Sequence, residues 1–159
     1  MTALVLALLV VSASHAAAQG LPDLEATWLG SCPGCAPGAM PGGAARTLVI
    51  RLSASAVAIR RDGYSAEVYR LDGTETQLPD GGTATAMIED GSLVITTVRR
   101  RVRSRDEVFQ TILRGSYRVT GETLTIERST RAIRPNEPPS ERWAALGAII
   151  YQRDRGPGR

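Results

Sequence analysis

Two groups of side chains are spaced so that they could do chemistry. The first is Cys32 and Cys35 in "GSCPGCAPGAMPGG" (30–43), and the second is the arginine run in "VRRRVRSRDE" (98–107). A Cys-x-x-Cys pair supports thiol–disulfide exchange where a strand feeds the N-terminus of a helix, because the helix dipole lowers the first thiol's pKa. Here Pro37, Gly38, Pro41, Gly42 and Gly43 follow, which forbids a stable helix, and no strand–helix–strand pattern surrounds the motif. No further Cys or His completes a zinc site. The flanks favour a local Cys32–Cys35 disulfide stiffening a Pro/Gly-rich loop at 31–45. Unused thiols, a working redox pair and a metal or intermolecular bridge are the alternatives. A ring this short stabilises modestly, since the loop-closure term grows with loop length.

On a strand, Arg99, Arg101, Arg103 and Arg105 share one face, while Arg100 shares the other with Val98 and Val102. Four guanidinium groups in a row could grip phosphate, sulfate or carboxylate groups of an anionic envelope component. The competing reading is a solvated hairpin rim balanced by Asp106 and Glu107. Aromatic residues make up 4% of the chain, too few for a base-stacking platform, so nucleic acid is not an expected partner.

Composition removes most catalytic classes. All 19 Lys+Arg residues are arginine, which a GC-rich coding bias also produces, and the single His is His15. Past residue 18 the chain therefore has no His or Lys, so neither a Ser–His or Cys–His nucleophile pair nor a Schiff-base lysine can be built. Histidine metal sites are excluded too, and no cofactor or metal is expected. Paired-carboxylate hydrolysis stays chemically possible, but no spacing indicates it.

Residues 1–18 read as a cleaved export signal: an apolar run from Ala3 to Val11, then small residues ending at Ala16-Ala17-Ala18. The run is shorter than the roughly 20 apolar residues that span a bilayer, and no later segment is apolar enough to do so. The product is expected to be exported and soluble, in the periplasm or secreted, where disulfides persist. Residues 19–159 are the size of one domain.

The elements that must position these residues follow a period of two. "RTLVIRL" (46–52), "AVAIRR" (56–61), "YSAEVYRL" (64–71), "TATAMI" (83–88), "LVITTVRRRV" (93–102), "EVFQTILRGSYRV" (107–119), "TLTIERST" (123–130) and "AIIYQR" (148–153) all read as strands, after a first one at "ATWLG". Asp62-Gly63, Asp72-Gly73, Asp90-Gly91 and Gly121-Glu122 read as turns. Gly115 is expected at a bulge or bend. "SERWAAL" is expected to form a short helical turn capped by Ser140. About eight to ten strands with short connections give an antiparallel up-and-down meander, and a sheet that long closes into a barrel or curves strongly to hide its edges.

"GTETQLPDGGTATAMIEDGSLVITT" followed by "YRVTGETLTIERST" is similar to a broad group of small exported bacterial proteins that read YxLDG…GGTxTA…LVIT…TLTIE. Trp28, Pro41-Gly42-Gly43 and Leu48–Ile50 match that group's early segment. The resemblance runs from about Thr27 to Arg153 and implies a lipocalin-like β-meander, with no catalytic residues to carry over. The paired cysteines depart from the group's pattern.

Trp28 is expected to plug one barrel end, and Trp143 to cover an opening. Trp28, Tyr69 and Tyr117 are the candidate ligand contacts. Two functions are consistent with these residues: a non-catalytic barrel binding a small apolar or amphipathic ligand in its interior, or an envelope interaction protein meeting an anionic partner through the hairpin 98–107.

Overall fold

The computed structural model describes residues 22–32, 40–41, 44–104, 107–134 and 142–156, with the side chains of 101–108 undescribed. The expected signal at 1–18, Cys35, Arg105 and the Ser140 cap lie outside the described residues.

A short 3-10 turn, Pro22–Leu24, precedes ten strands: β1 (Ala26–Ser31), β2 (Thr47–Leu52), β3 (Ala56–Arg61), β4 (Glu67–Arg70), β5 (Thr76–Gln77), β6 (Thr83–Glu89), β7 (Ser92–Ser104), β8 (Glu107–Thr120), β9 (Thr123–Ile133) and β10 (Ala144–Arg153). They form one antiparallel sheet in the order β4-β3-β2-β1-β10-β9-β8-β7-β6-β5. The chain is thus an all-β up-and-down meander, and pairing of the first and last strands, Trp28 with Arg153, curls it into a nearly closed barrel. The one gap between chain neighbours falls at β4 and β5, and the Gly73 amide bridges it by donating to the Ala86 carbonyl on β6 at 3.1 Å.

Alternation drives the burial. Leu48 and Ile50, Val57 and Ile59, Ala84 and Ala86, Leu93 and Ile95, Leu124 and Ile126, and Ile149 and Tyr151 all point inward and are buried. Asp62-Gly63 and Asp90-Gly91 make the tight turns expected of them, with φ of 44° and 78° and of 48° and 71°. Positive φ at both central residues suits the right-handed twist of a hairpin, and an Asp-Gly pair tolerates it.

Several boundaries depart from the sequence expectation. β4 starts at Glu67 rather than Tyr64, because the Asp62 turn is tied back to β2: the Asp62 amide donates to the Thr47 carbonyl at 3.0 Å and the Thr47 amide to Asp62 Oδ1 at 2.8 Å. The expected helical turn in "SERWAAL" is instead the start of β10, since Ala144 and Ala145 pair with Thr130 and Ser129. Gly115 holds regular register on both sides; the register shifts fall between Val102 and Ser104 and between Ala145 and Gly147.

The two ends of the barrel differ. At one, the 3-10 turn contacts β2 and β8, on roughly opposite walls, and so lies across the opening. Leu24 and Trp28 fill the space beneath it at 1% and 0% exposure. At the other, β7 and β8 run for 13 and 14 residues against 6 for β2 and β3. β6 stops pairing with β7 at Val98, so the β7–β8 hairpin overhangs this rim.

Candidate functional site: a cup at the open end

Above Leu48, Ile95, Ile126 and Ile149 the interior is not filled. It opens into a cavity of about 340 Å³, walled by Tyr69, Tyr117 and Tyr151 and by the charged Arg61, Glu67, Arg99 and Arg128. Alternation explains each placement. Glu67 and Tyr69 share the inward face of β4, with Val68 and Arg70 exposed between and beyond them. Arg61 continues the inward row of Val57 and Ile59 on β3, and Ile59 pairs with Glu67. Thr97 and Arg99 extend the row of Leu93 and Ile95 on β7, and Arg128 extends Leu124 and Ile126 on β9.

Most of these polar groups satisfy one another. Arg61 forms an ion pair with Glu67 Oε2, and the Tyr69 hydroxyl donates to the same oxygen at 2.6 Å. The second arm of Arg61 reaches the Tyr117 hydroxyl at 3.5 Å. Burial alone pushes the Glu67 carboxyl up, but the Tyr69 hydroxyl and the Arg61 charge outweigh it and hold the group below its ordinary value. Burial and the bond to Glu67 push the Tyr69 hydroxyl up. Tyr151 is pushed up to about 12, again chiefly by burial, and its hydroxyl donates to the Ala45 carbonyl at 2.9 Å. That bond lays the end of the β1–β2 connection against the cup, where Ala44 and Ala45 form part of its wall. A general acid or base works best with a pKa near the working pH. Glu67 and the two tyrosines are displaced in the opposite sense, so this arrangement holds charge in place rather than moving protons at neutral pH.

Arg99 stands at the mouth, half exposed, and pairs with Asp80 of the β5–β6 loop at 2.8 Å. Arg128 is different. Glycine flanks it on both neighbouring strands, Gly115 on β8 and Gly147 on β10. Gly147 sits at the β10 register shift with φ of 87°, and nothing lies within 4 Å of where its Cβ would be. Arg128 Nε is buried and has no hydrogen-bond partner among the described residues.

Tyr69 and Tyr117 therefore both line the cup. Trp28 does not: its indole donates to the Leu24 carbonyl at 3.0 Å at the plugged end, and Arg153 stacks over its ring at 5.0 Å. Trp143 covers no opening. It is 37% exposed on the outer surface, out of phase with the inward row, and Arg131 stacks over it at 5.1 Å. In the arginine run, Arg99 stands in the mouth, the side chains of Arg101 and Arg103 lie outside the described residues, and the backbone register shifts between Val102 and Ser104. No known family, curated protein or solved structure matches this chain.

Sequence reading missed Arg61, Arg99's position inside the mouth, Arg128 and Tyr151 as members of one site. The signal was present in the alternation: each occupies the inward phase of its strand where an apolar residue is expected. Among the described residues, no group of three or more His, Cys, Asp or Glu side chains is placed to hold a metal ion. No helix among them is long and apolar enough to cross a membrane.

Proposed function

We propose that the protein binds a small amphipathic ligand in the cup. The observation that supports this is the asymmetry of the interior: one end is sealed by Leu24 and Trp28, while the other holds about 340 Å³ of open space with an apolar floor and a polar collar. Ligand sites are concave, largely apolar and carry a few placed polar groups, and the interior of a small closed barrel has room for one such molecule. The reading includes export as a soluble protein and a Cys32–Cys35 disulfide stiffening the connection that ends at the cup wall.

A neutral fluorescent amphiphile, phenylnaphthylamine, tests it. The protein is expected to enhance its emission with saturable, one-site binding. Leu113→Trp, which fills the cup from the inward face of β8, is expected to weaken that binding by about tenfold or more. Unchanged binding in that variant would end the reading.

The overhang of β7–β8 beyond Val98 favours a second reading, in which the hairpin 98–107 meets an anionic envelope component. Retention on anionic vesicles that falls as salt rises is its expected signature. Retention indifferent to salt would remove it.

A further inference from the structure

The charges around the cup do not balance, and the imbalance indicates what the ligand carries. Three guanidinium groups, Arg61, Arg99 and Arg128, line the cavity with a single carboxylate, Glu67. Glu67 is committed to Arg61 and Tyr69. Asp80, just outside the lining, is committed to Arg99. Each of these two cations thus has its anion, and neither carboxylate is left for Arg128. No ion pair or hydrogen bond reaches the Arg128 guanidinium from the described residues, and its Nε is buried. Arg128 as a whole is half-buried, and a buried polar atom left unsatisfied calls for a partner the chain itself does not supply.

The surroundings of Arg128 leave space for that partner. Its paired neighbours on both sides are glycines, which add no side chain of their own beside it. The Tyr117 ring reaches up against Gly115, 3.2 Å from where a Cβ would stand, so it borders Arg128's level on the β8 side, with its hydroxyl held 3.5 Å from Arg61. Below lie Ile95, Ile126 and Ile149.

Resting on the cup reading above, we propose that the ligand is a small monoanionic amphiphile whose carboxylate seats on the Arg128 guanidinium, with its apolar body against Ile95, Leu113, Ile126 and Ile149. The charge count calls for one negative charge, because one guanidinium is uncompensated. The guanidinium calls for a planar, two-oxygen acceptor, because two parallel N–H donors of arginine form a fork that matches the two oxygens of a carboxylate. The volume calls for a single short chain or ring system: about 340 Å³ is at the small end of ligand cavities.

A matched pair of probes separates this proposal from the cup reading itself. Anilinonaphthalene sulfonate has the frame of phenylnaphthylamine with one added negative charge. The protein is expected to bind the sulfonate at least about tenfold more tightly than the neutral probe. Decanoate is expected to displace the sulfonate, and decanol to do so at least about tenfold less well. Arg128→Gln is expected to abolish both preferences while keeping the parent's circular-dichroism spectrum and denaturation midpoint, which shows that the variant is folded. Arg99→Gln, whose charge Asp80 already balances, is expected to keep both preferences. Should Arg128→Gln not fold, Arg128→Lys serves instead: it keeps the charge and loses the fork, so decanoate is expected to weaken by about fivefold or more. Equal binding of the two probes, or a preference that survives Arg128→Gln, overturns the carboxylate seat and leaves the cup standing. Failure of both probes to bind overturns the cup and the seat together.

Discussion

Arg153 and Arg128 occupy opposite ends of one barrel, and the contrast between them separates an arginine that holds the fold from one that does not. Arg153 stacks over Trp28 at 5.0 Å, donates to the Asp23 carbonyl at 2.5 Å and lies 3.9 Å from Glu122. Its Nε is also buried without a hydrogen bond, yet the group is enclosed by an aromatic face, a carbonyl and a carboxylate. Arg128 has the same buried Nε, but glycines and open cavity where Arg153 has partners. Charge at the plugged end completes a structure. Charge at the open end awaits one.

The largest effect that would break this contrast is expected at the plug. Trp28→Ala removes a fully buried indole and the ring beneath Arg153, and is expected to cost about 3–5 kcal/mol in chemical denaturation. A loss under about 1 kcal/mol would mean that Leu24 and Trp28 do not seal the interior. Next come the two arginines. Arg153→Met is expected to destabilise by about 1–3 kcal/mol, because it strips a charged donor from the Asp23 carbonyl and a cation from Trp28. Arg128→Met is expected to leave stability unchanged or raise it by about 1 kcal/mol, because it removes a buried donor that has no acceptor. Equal losses at the two positions would erase the distinction.

Two smaller effects sharpen it through pH. Glu67 titrates below its ordinary value in the folded chain, so its ion pair contributes stability above the ordinary glutamate pKa and loses it as the pH falls through the folded value. Glu67→Gln is expected to flatten the acid limb of a plot of melting temperature against pH. Tyr151 shifts the other way. Its ordinary pKa of 10.0 rises to about 12, so its contribution is complete below pH 10.0 and fades as the pH climbs toward 12. Tyr151→Phe is expected to remove that alkaline slope, at a cost of about 1 kcal/mol at neutral pH for the lost bond to Ala45.

The fold was legible where local physics decides it. The alternation in 46–52, 56–61 and 123–130 sets which face is buried, and the Asp-Gly pairs set two turns, so strand count and topology class followed from neighbours in the chain. The parts that were not legible depend on distant pairing. β5 is two residues long and has no pattern of its own; pairing of Thr76 and Gln77 with Ala84 and Thr83 makes it a strand. "SERWAAL" has helical propensity, but its end pairs with β9, and the ladder overrides it. The site was hidden for a related reason. An inward arginine reads as an exception within its own strand, and only closure of the barrel brings Arg61 on β3, Arg99 on β7 and Arg128 on β9 around one space. Tyr69 and Tyr117 were legible because an aromatic in the buried phase is conspicuous. Gly115 was legible as special and misread in kind: it holds regular register, and its missing side chain makes room for the Tyr117 ring.

Because β1 pairs with β10, the strand pairing of longest range among the described residues is also the one that completes the wall. A ribosome delivers β1 to β4 early, and one flank of that sheet stays without its neighbour until residues 144–153 emerge. Closing the wall is then the slow, entropically expensive step of folding, and during that interval the row of unpaired amides on β1 is the place where two nascent chains would exchange strands.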